Sequence, residues 1–336
     1  MAAFLRLQFY VVTFMTQLIN KIAYIKQPLT YAEQIKELQN KGMIITDIAL
    51  TEQVLARISY YRLSGYWHYF RQKNNTSDLL LDTFCIDTKF ESILALYEFD
   101  QELRSHLLFA IEKIEIAIRT QFIYHLGHTY GAFGYVQPSN FHPQFANNKH
   151  ANWLKKLTDE VLRSKDIFLN HYQNKYEGYP IVPIWMLTEV MTLGSLSYGY
   201  HGLQNNQKIG TQDKQAISIF FDLHHKRLDN WLHVLTYIRN ICAHHGRLWN
   251  RELSIKDDVS KDANWSNPIT PRNDKIFYVL LMVRYLLNKI GDADRWTQSM
   301  THLLKPICQN TQFRNAMGIP ENWLEHPLWK IKKQDE

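Results

Sequence analysis

From Lys89 to Leu126 the chain reads KFESILALYEFDQELRSHLLFAIEKIEIAIRTQFIYHL, and this stretch decides the fold class. Leu96, Leu103, Leu107, Ile111, Ile114, Ile118 and Phe122 recur on the three- and four-residue repeat of one helical face. No Gly or Pro interrupts the run, so nothing in it breaks the hydrogen-bond ladder of a long helix.

A helix of that length needs neighbours to cover its apolar stripe, and helical signals return on both sides of it. Thr30 and Glu33 are spaced as a capping box ahead of YAEQIKELQNKG, which Gly42 closes. A second helix is expected from Asp47 to about Leu63, with a break at Ser64-Gly65. Residues 72–87 read as an exposed loop or short hairpin, and 127–150 as a loop. Further helices are expected near 151–172, 184–203, 211–221, 225–246 and 273–292, with a polar surface loop over 256–274 and short helices after 293. With only 13 Gly and 10 Pro in 336 residues, breakers are too few for many short strands. The expected class is all-α, a helical bundle elaborated with extra helices and long loops. Residues 1–25 read as an N-terminal extension, 26–254 as the helical core, and 255–336 as a C-terminal helical segment packing on it.

Composition narrows the function classes. A net charge of +6 permits a polyanionic partner such as RNA without requiring one. The 19 Tyr, 17 Phe and 9 Trp include rings that can stack on unpaired bases, although most should fill the core. Cys85, Cys242 and Cys308 are too far apart for a disulfide framework or a zinc ribbon, which suits a reducing cytoplasm. The opening stretch MAAFLRLQFYVVTFMTQLIN is broken by Arg6, Gln8, Thr13 and Gln17, so no stable membrane insertion is expected. It lacks a signal-peptide cleavage site and reads as an extra helix or as residues upstream of a start near Met15. The adjacent pairs His224-His225 and His244-His245 point different ways on a helix, so neither a metal site nor a cofactor is expected.

Two segments carry candidate chemistry: TYIRNICAHH with Arg239 and His244, and AIRTQFIYH with Arg119 and His125. Arg followed by His after four to six residues is weak as a pattern, since composition alone yields roughly two such matches by chance. Arg62–His68, Arg227–His233 and Arg295–His302 match it too. Context favours Arg239. On the helix expected over 225–246, Leu228, Trp231, Leu232, Leu235, Ile238 and Cys242 form an apolar stripe, and Arg239 falls within it at 100° per residue. An arginine on a buried face needs a carboxylate or a ligand phosphate. Asn240 and His244 are one turn apart, so the amide can orient the imidazole. Arg239 and His244 themselves lie about 140° apart on an ideal helix, so meeting one substrate requires arginine's reach or a distortion near His244. His125 continues the apolar line of the long helix, while Arg119 lies off it. Glu98, Asp100, Glu112 and Glu115 read as a solvated face, with Glu112 and Glu115 as candidate anchors for Arg119 or Arg239.

Together these residues suit RNA cleavage. RNA carries its own nucleophile, the 2′-hydroxyl. One histidine takes its proton, another protonates the leaving 5′-oxygen, and arginines stabilise the phosphorane charge.

The blocks KQPLTYAEQIKELQNKGMIITD, RISYYRLSGYWHYFR, FESILALYEFDQELRSHLLFAIEKIEIAIRTQFIYHL, PIWMLTEVMTLGSLS and LDNWLHVLTYIRNICAHHGRLWNREL occur in that order from Lys26 to about Leu253. Through them the chain resembles the abortive-infection (Abi) proteins of the AbiD/AbiF type, in the HEPN superfamily. The resemblance implies a HEPN-type helical bundle, cleavage of single-stranded RNA, and a toxin-like role in bacterial phage defence or a toxin–antitoxin pair. It carries the family's signature onto Arg239, Asn240 and His244. By analogy with effectors in which two such motifs share one site, Arg119 and His125 would supply the second half. Thr120 stands where Asn240 has its counterpart, and the gap is one residue longer. A homodimer donating Arg239 and His244 twice is the alternative. Implied partners are an RNA substrate and a restraining non-coding RNA or antitoxin. Two competing readings are a non-catalytic RNA-binding or scaffold protein, and an interaction module whose Arg239 pairs with Glu112 or Glu189.

Overall fold

A computed structural model describes residues 23–74, 79–205, 212–255, 263–266 and 270–330. Most of the N-terminal extension expected over 1–25 therefore lies outside the described residues. Two units divide the chain, Met1–Leu96 and Tyr97–Glu336.

The first unit begins with α1 (Tyr31–Asn40) behind the expected capping box, in which the Thr30 hydroxyl accepts from the Glu33 N–H and the Glu33 carboxylate accepts from the Thr30 N–H at 2.7 Å. Then come α2 (Ile48–Ile58) and α3 (Tyr60–Trp67). The expected break at Ser64-Gly65 falls inside α3. The chain breaks instead at Ser59, whose φ of 70° stops α2 while its hydroxyl accepts from the Arg62 N–H to start α3. The loop or short hairpin expected over 72–87 is a pair of strands, β1 (Arg71–Lys73) antiparallel to β2 (Leu80–Phe84), that starts one residue earlier. Val54, Leu55, Leu63, Tyr66, Trp67 and Phe84 are buried in this unit.

The long run forms one helix, α4 (Phe90–Tyr130), of 41 residues. In the second unit its Leu103, Leu107, Ile111, Ile114, Ile118, Phe122 and Leu126 are all buried. The same unit holds α5 (Pro143–Arg163), α6 (Ile167–Lys175), α7 (Ile184–Val190), α8 (Leu193–Gly202), α9 (Asp213–Ser218), α10 (His225–Ala243), α11 (Ala263–Ser266), α12 (Ile276–Lys289), α13 (Ala293–Cys308) and α14 (Thr311–Ala316). The class is all-α, as expected.

Two expected helices are split. The first becomes α5 and α6. The second breaks at Met191-Thr192, because the buried Glu160 carboxylate on α5 accepts from the Thr192 and Ser195 hydroxyls at 2.9 and 2.8 Å and so seats the start of α8. Of the stretch expected as a polar loop over 256–274, residues 256–262 and 267–269 lie outside the described residues, and 263–266 form α11. Its Trp265 is buried 5.5 Å from the Trp231 ring, so this indole draws the segment into the core. In α12, Ile276 through Arg284 are all buried, which marks an interior helix. Among the described residues, no helix is long and apolar enough to cross a membrane.

Candidate functional site

Helix α10 buries Leu228, Trp231, Leu232, Val234, Leu235, Ile238 and Cys242. Arg239 departs from expectation: it is exposed, as is Asn240. In the last turns the buried line runs through Val234, Ile238 and Cys242, at four-residue steps. Arg239 is one residue beyond Ile238 and so turned about 100° from it, off the covered face. No ion pair to Glu112 or Glu189 forms, and no side-chain hydrogen bond or ion pair among the described residues engages Arg239, Asn240 or His244.

The helix ends at Ala243, so His244 is the C-cap rather than a further helical residue. The His245 N–H donates to the Cys242 carbonyl at 3.1 Å and the Gly246 N–H to the Ile241 carbonyl at 2.8 Å. This is the Schellman arrangement, and it places His245 in the left-handed region at φ 56°. The departure from helical geometry at His244 loosens the 140° constraint of a regular helix. Exposed Arg239, Asn240 and His244 thus share one helix end.

Beneath that end lies a contact the spacing did not reveal. Asp100 and Arg104, on the core side of α4, are both buried and ion-paired, with Arg104 Nη1 2.6 Å from Asp100 Oδ2. The Asp100 carboxylate also accepts from the N–H groups of Leu248 at 3.1 Å and Trp249 at 2.8 Å, and Arg104 Nη1 lies 3.4 Å from the Gly246 carbonyl. Asp100 is therefore not part of a solvated face. Burial pushes the neighbouring Cys242 thiol up to about 12; Arg104 opposes the rise and Asp100 adds to it. A neutral, buried thiol is no nucleophile.

The second motif is engaged elsewhere. Arg119 pairs with Glu115, as its i,i+4 spacing suggests, and donates to the Met191 carbonyl at 2.6 Å. His125 Nε2 lies 2.6 Å from Asp213 Oδ1, and the Tyr130 hydroxyl donates to Asp213 Oδ2 at 2.9 Å. Asp213 opens α9, beside the start of α10, where the Tyr200 hydroxyl donates to the Lys214 carbonyl at 2.9 Å and lies 3.3 Å from the His225 carbonyl. Along α4, His125 stands 21 residues beyond Arg104, or about 30 Å at the helical rise. The structure thus ties His125 to the start of α10 and sets His244 at its end. Arg119 lies between, on the α7–α8 junction, where Gly194 packs against Thr236, one turn before Asn240. Among the described residues there is no cluster of three or more His, Cys, Asp or Glu side chains fit to hold a metal ion.

No curated protein and no solved structure matches the chain. Residues 53–250, more than half of the chain, match the family described as Abi-like protein; they span α4, α10 and the turn after it that Asp100 and Arg104 contact, and the chain belongs to that family.

Proposed function

We propose that this protein is a HEPN-type endoribonuclease that cuts single-stranded RNA without a metal, as a toxin-like effector of abortive infection in phage defence. The observation that carries the reading is the exposed set Arg239, Asn240 and His244 on one helix end, with no partner among the described residues for its polar side chains. Membership of the Abi-like family supports it.

The chemistry uses what RNA brings. The 2′-hydroxyl loses its proton to an imidazole and its oxygen attacks phosphorus. Arg239 balances the charge on the phosphorane oxygens, and the P–O5′ bond breaks as that oxygen gains a proton. The products are a 2′,3′-cyclic phosphate and a 5′-hydroxyl. Asn240, one turn before His244, is placed to orient the ring. One imidazole cannot accept and donate protons on opposite sides of phosphorus at once. We assign the second role to His244 of a second copy, because His125 is bound to Asp213 and stands about 30 Å along α4 from Arg104.

Arg239→Ala and His244→Ala are each expected to slow cleavage of a single-stranded RNA by at least about 100-fold with the fold retained, the usual scale for a donor that stabilises transition-state charge and for a proton-transfer group. Wild-type fragments should carry cyclic-phosphate ends, chelator should leave the rate unchanged, and specific activity should fall on dilution. Unchanged cleavage in both variants would sink the assignment. RNA retarded but never cut would favour a non-catalytic binding protein, and inhibition by chelator a metal nuclease.

A further inference from the structure

The turn after α10 is held from below by one carboxylate. Asp100 is fully buried, and its oxygens accept from the Leu248 N–H, the Trp249 N–H and the Arg104 guanidinium. Arg104 then reaches the Gly246 carbonyl, so the pair grips the turn at residues 246, 248 and 249. The side chains of Leu248 and Trp249 are also fully buried, which leaves this backbone little freedom to shift. Between the grip and the last turn of α10 lie only His244 and His245. His245 closes the gap in a left-handed conformation that L residues rarely adopt.

We infer that Asp100, with Arg104, is the positioning pair of the site, fixing the Gly246–Trp249 backbone and through it the placement of the His244 imidazole. This rests on the reading of His244 as a proton-transfer group. Neither Asp100 nor Arg104 touches the substrate, since both are buried beneath the turn. A short tether between two fixed points leaves the exposed ring few placements, and a catalytic group held this way loses about 100-fold in rate when displaced by an ångström.

Asp100→Asn keeps an oxygen for the two N–H groups and removes the charge that holds Arg104. Arg104→Gln keeps the carboxylate and removes the guanidinium. Both are made in the full chain and followed by two readouts. One is the NMR line width and shift of the His244 ring, identified by its loss in His244→Gln. The other is kcat and KM for a single-stranded RNA.

In both variants we expect the His244 signal to shift and broaden, with kcat down about 10- to 100-fold and KM within about threefold. A purely structural pair would lower Tm while leaving the His244 signal and kcat of the folded protein unchanged, which overturns the inference. A purely electrostatic influence would move the rate in opposite directions in the two variants, because one removes a negative and the other a positive charge; that also overturns it. If Asp100→Asn does not fold, Arg104→Gln decides alone. The NMR arm needs no turnover, so a wild-type protein that fails to cut RNA would sink the nuclease reading and still leave the positioning role tested.

Discussion

His245 occupies the position after a helix end where glycine is usual, because a Cβ in the left-handed region meets the backbone. For an ordinary L residue that conformation costs about 1–2 kcal/mol, and histidine is among the residues found there more often. Replacing it by glycine relieves the strain but frees the unfolded chain. His245→Gly is therefore expected to raise stability by roughly 0.5–1 kcal/mol. The urea midpoint, at unchanged m-value, measures it; a lower midpoint would mean that contacts of the His245 side chain outweigh the strain. At this scale the sequence was legible in part. Arg239, Asn240 and His244 could be singled out as candidates from the family blocks and from the one-turn spacing of Asn240 and His244, not from the Arg–His spacing, which recurs elsewhere in the chain. The exposure of Arg239 could not, because the stripe on α10 narrows to Val234, Ile238 and Cys242 near its end, and that depends on which neighbours reach it. Nor could the hold of Asp100 on the turn, because there its partners are 148 and 149 residues away and are backbone groups with no residue signature.

Helix α8 shows how one element positions another. Gly199 faces α5, and a Cβ built on it would sit 2.5 Å from a ring carbon of Trp153 and 3.4 Å from Phe122 on α4. The missing side chain lets three helices approach around the Trp153 indole, which donates to the Ser195 carbonyl at 2.9 Å. Gly199→Ala should cost about 1–3 kcal/mol, since a buried indole between helices has no open side to move to. Thermal and urea unfolding would both register it, and a stability within about 0.5 kcal/mol of wild type would show that the layer can slide. The existence of the helices was legible because periodicity is local. Their breaks were legible only where the stop signal is local too. Gly42 ended α1 as read. The break at Met191-Thr192 was not visible, because Glu160 on another helix creates it. The hidden break at Ser59 is subtler, a serine in the left-handed region where Ser64-Gly65 looked the better candidate.

Charge is distributed unevenly over the molecule. Between His224 and Arg251 stand five Lys or Arg residues (Lys226, Arg227, Arg239, Arg247, Arg251) against the single acid Asp229, a net +4 of the chain's +6. Asp229 is itself committed: burial pushes its carboxyl up, but the bonds and charges of His201 and Lys214 outweigh that and leave it lowered. The basic excess thus lies along α10 and the turn beyond it, where the proposed site stands. This distribution turns the bulk charge, which merely allowed RNA, into a quantitative expectation. Binding to single-stranded RNA weakens with salt because each phosphate neutralised releases counterions, with a log–log slope of about −0.7 per contact. In a His244→Ala background, which prevents cleavage, adding Arg239→Ala should flatten the slope by about 0.7 and weaken binding across RNA sequences alike. Lys156→Ala, an exposed lysine on α5, should leave the slope unchanged. Fluorescence anisotropy of a labelled RNA between low and physiological salt measures both. Equal slopes in the two variants would mean that Arg239 meets no phosphate. The charge along α10 would then be ordinary solvation, and the phosphorane contact would have to be sought elsewhere.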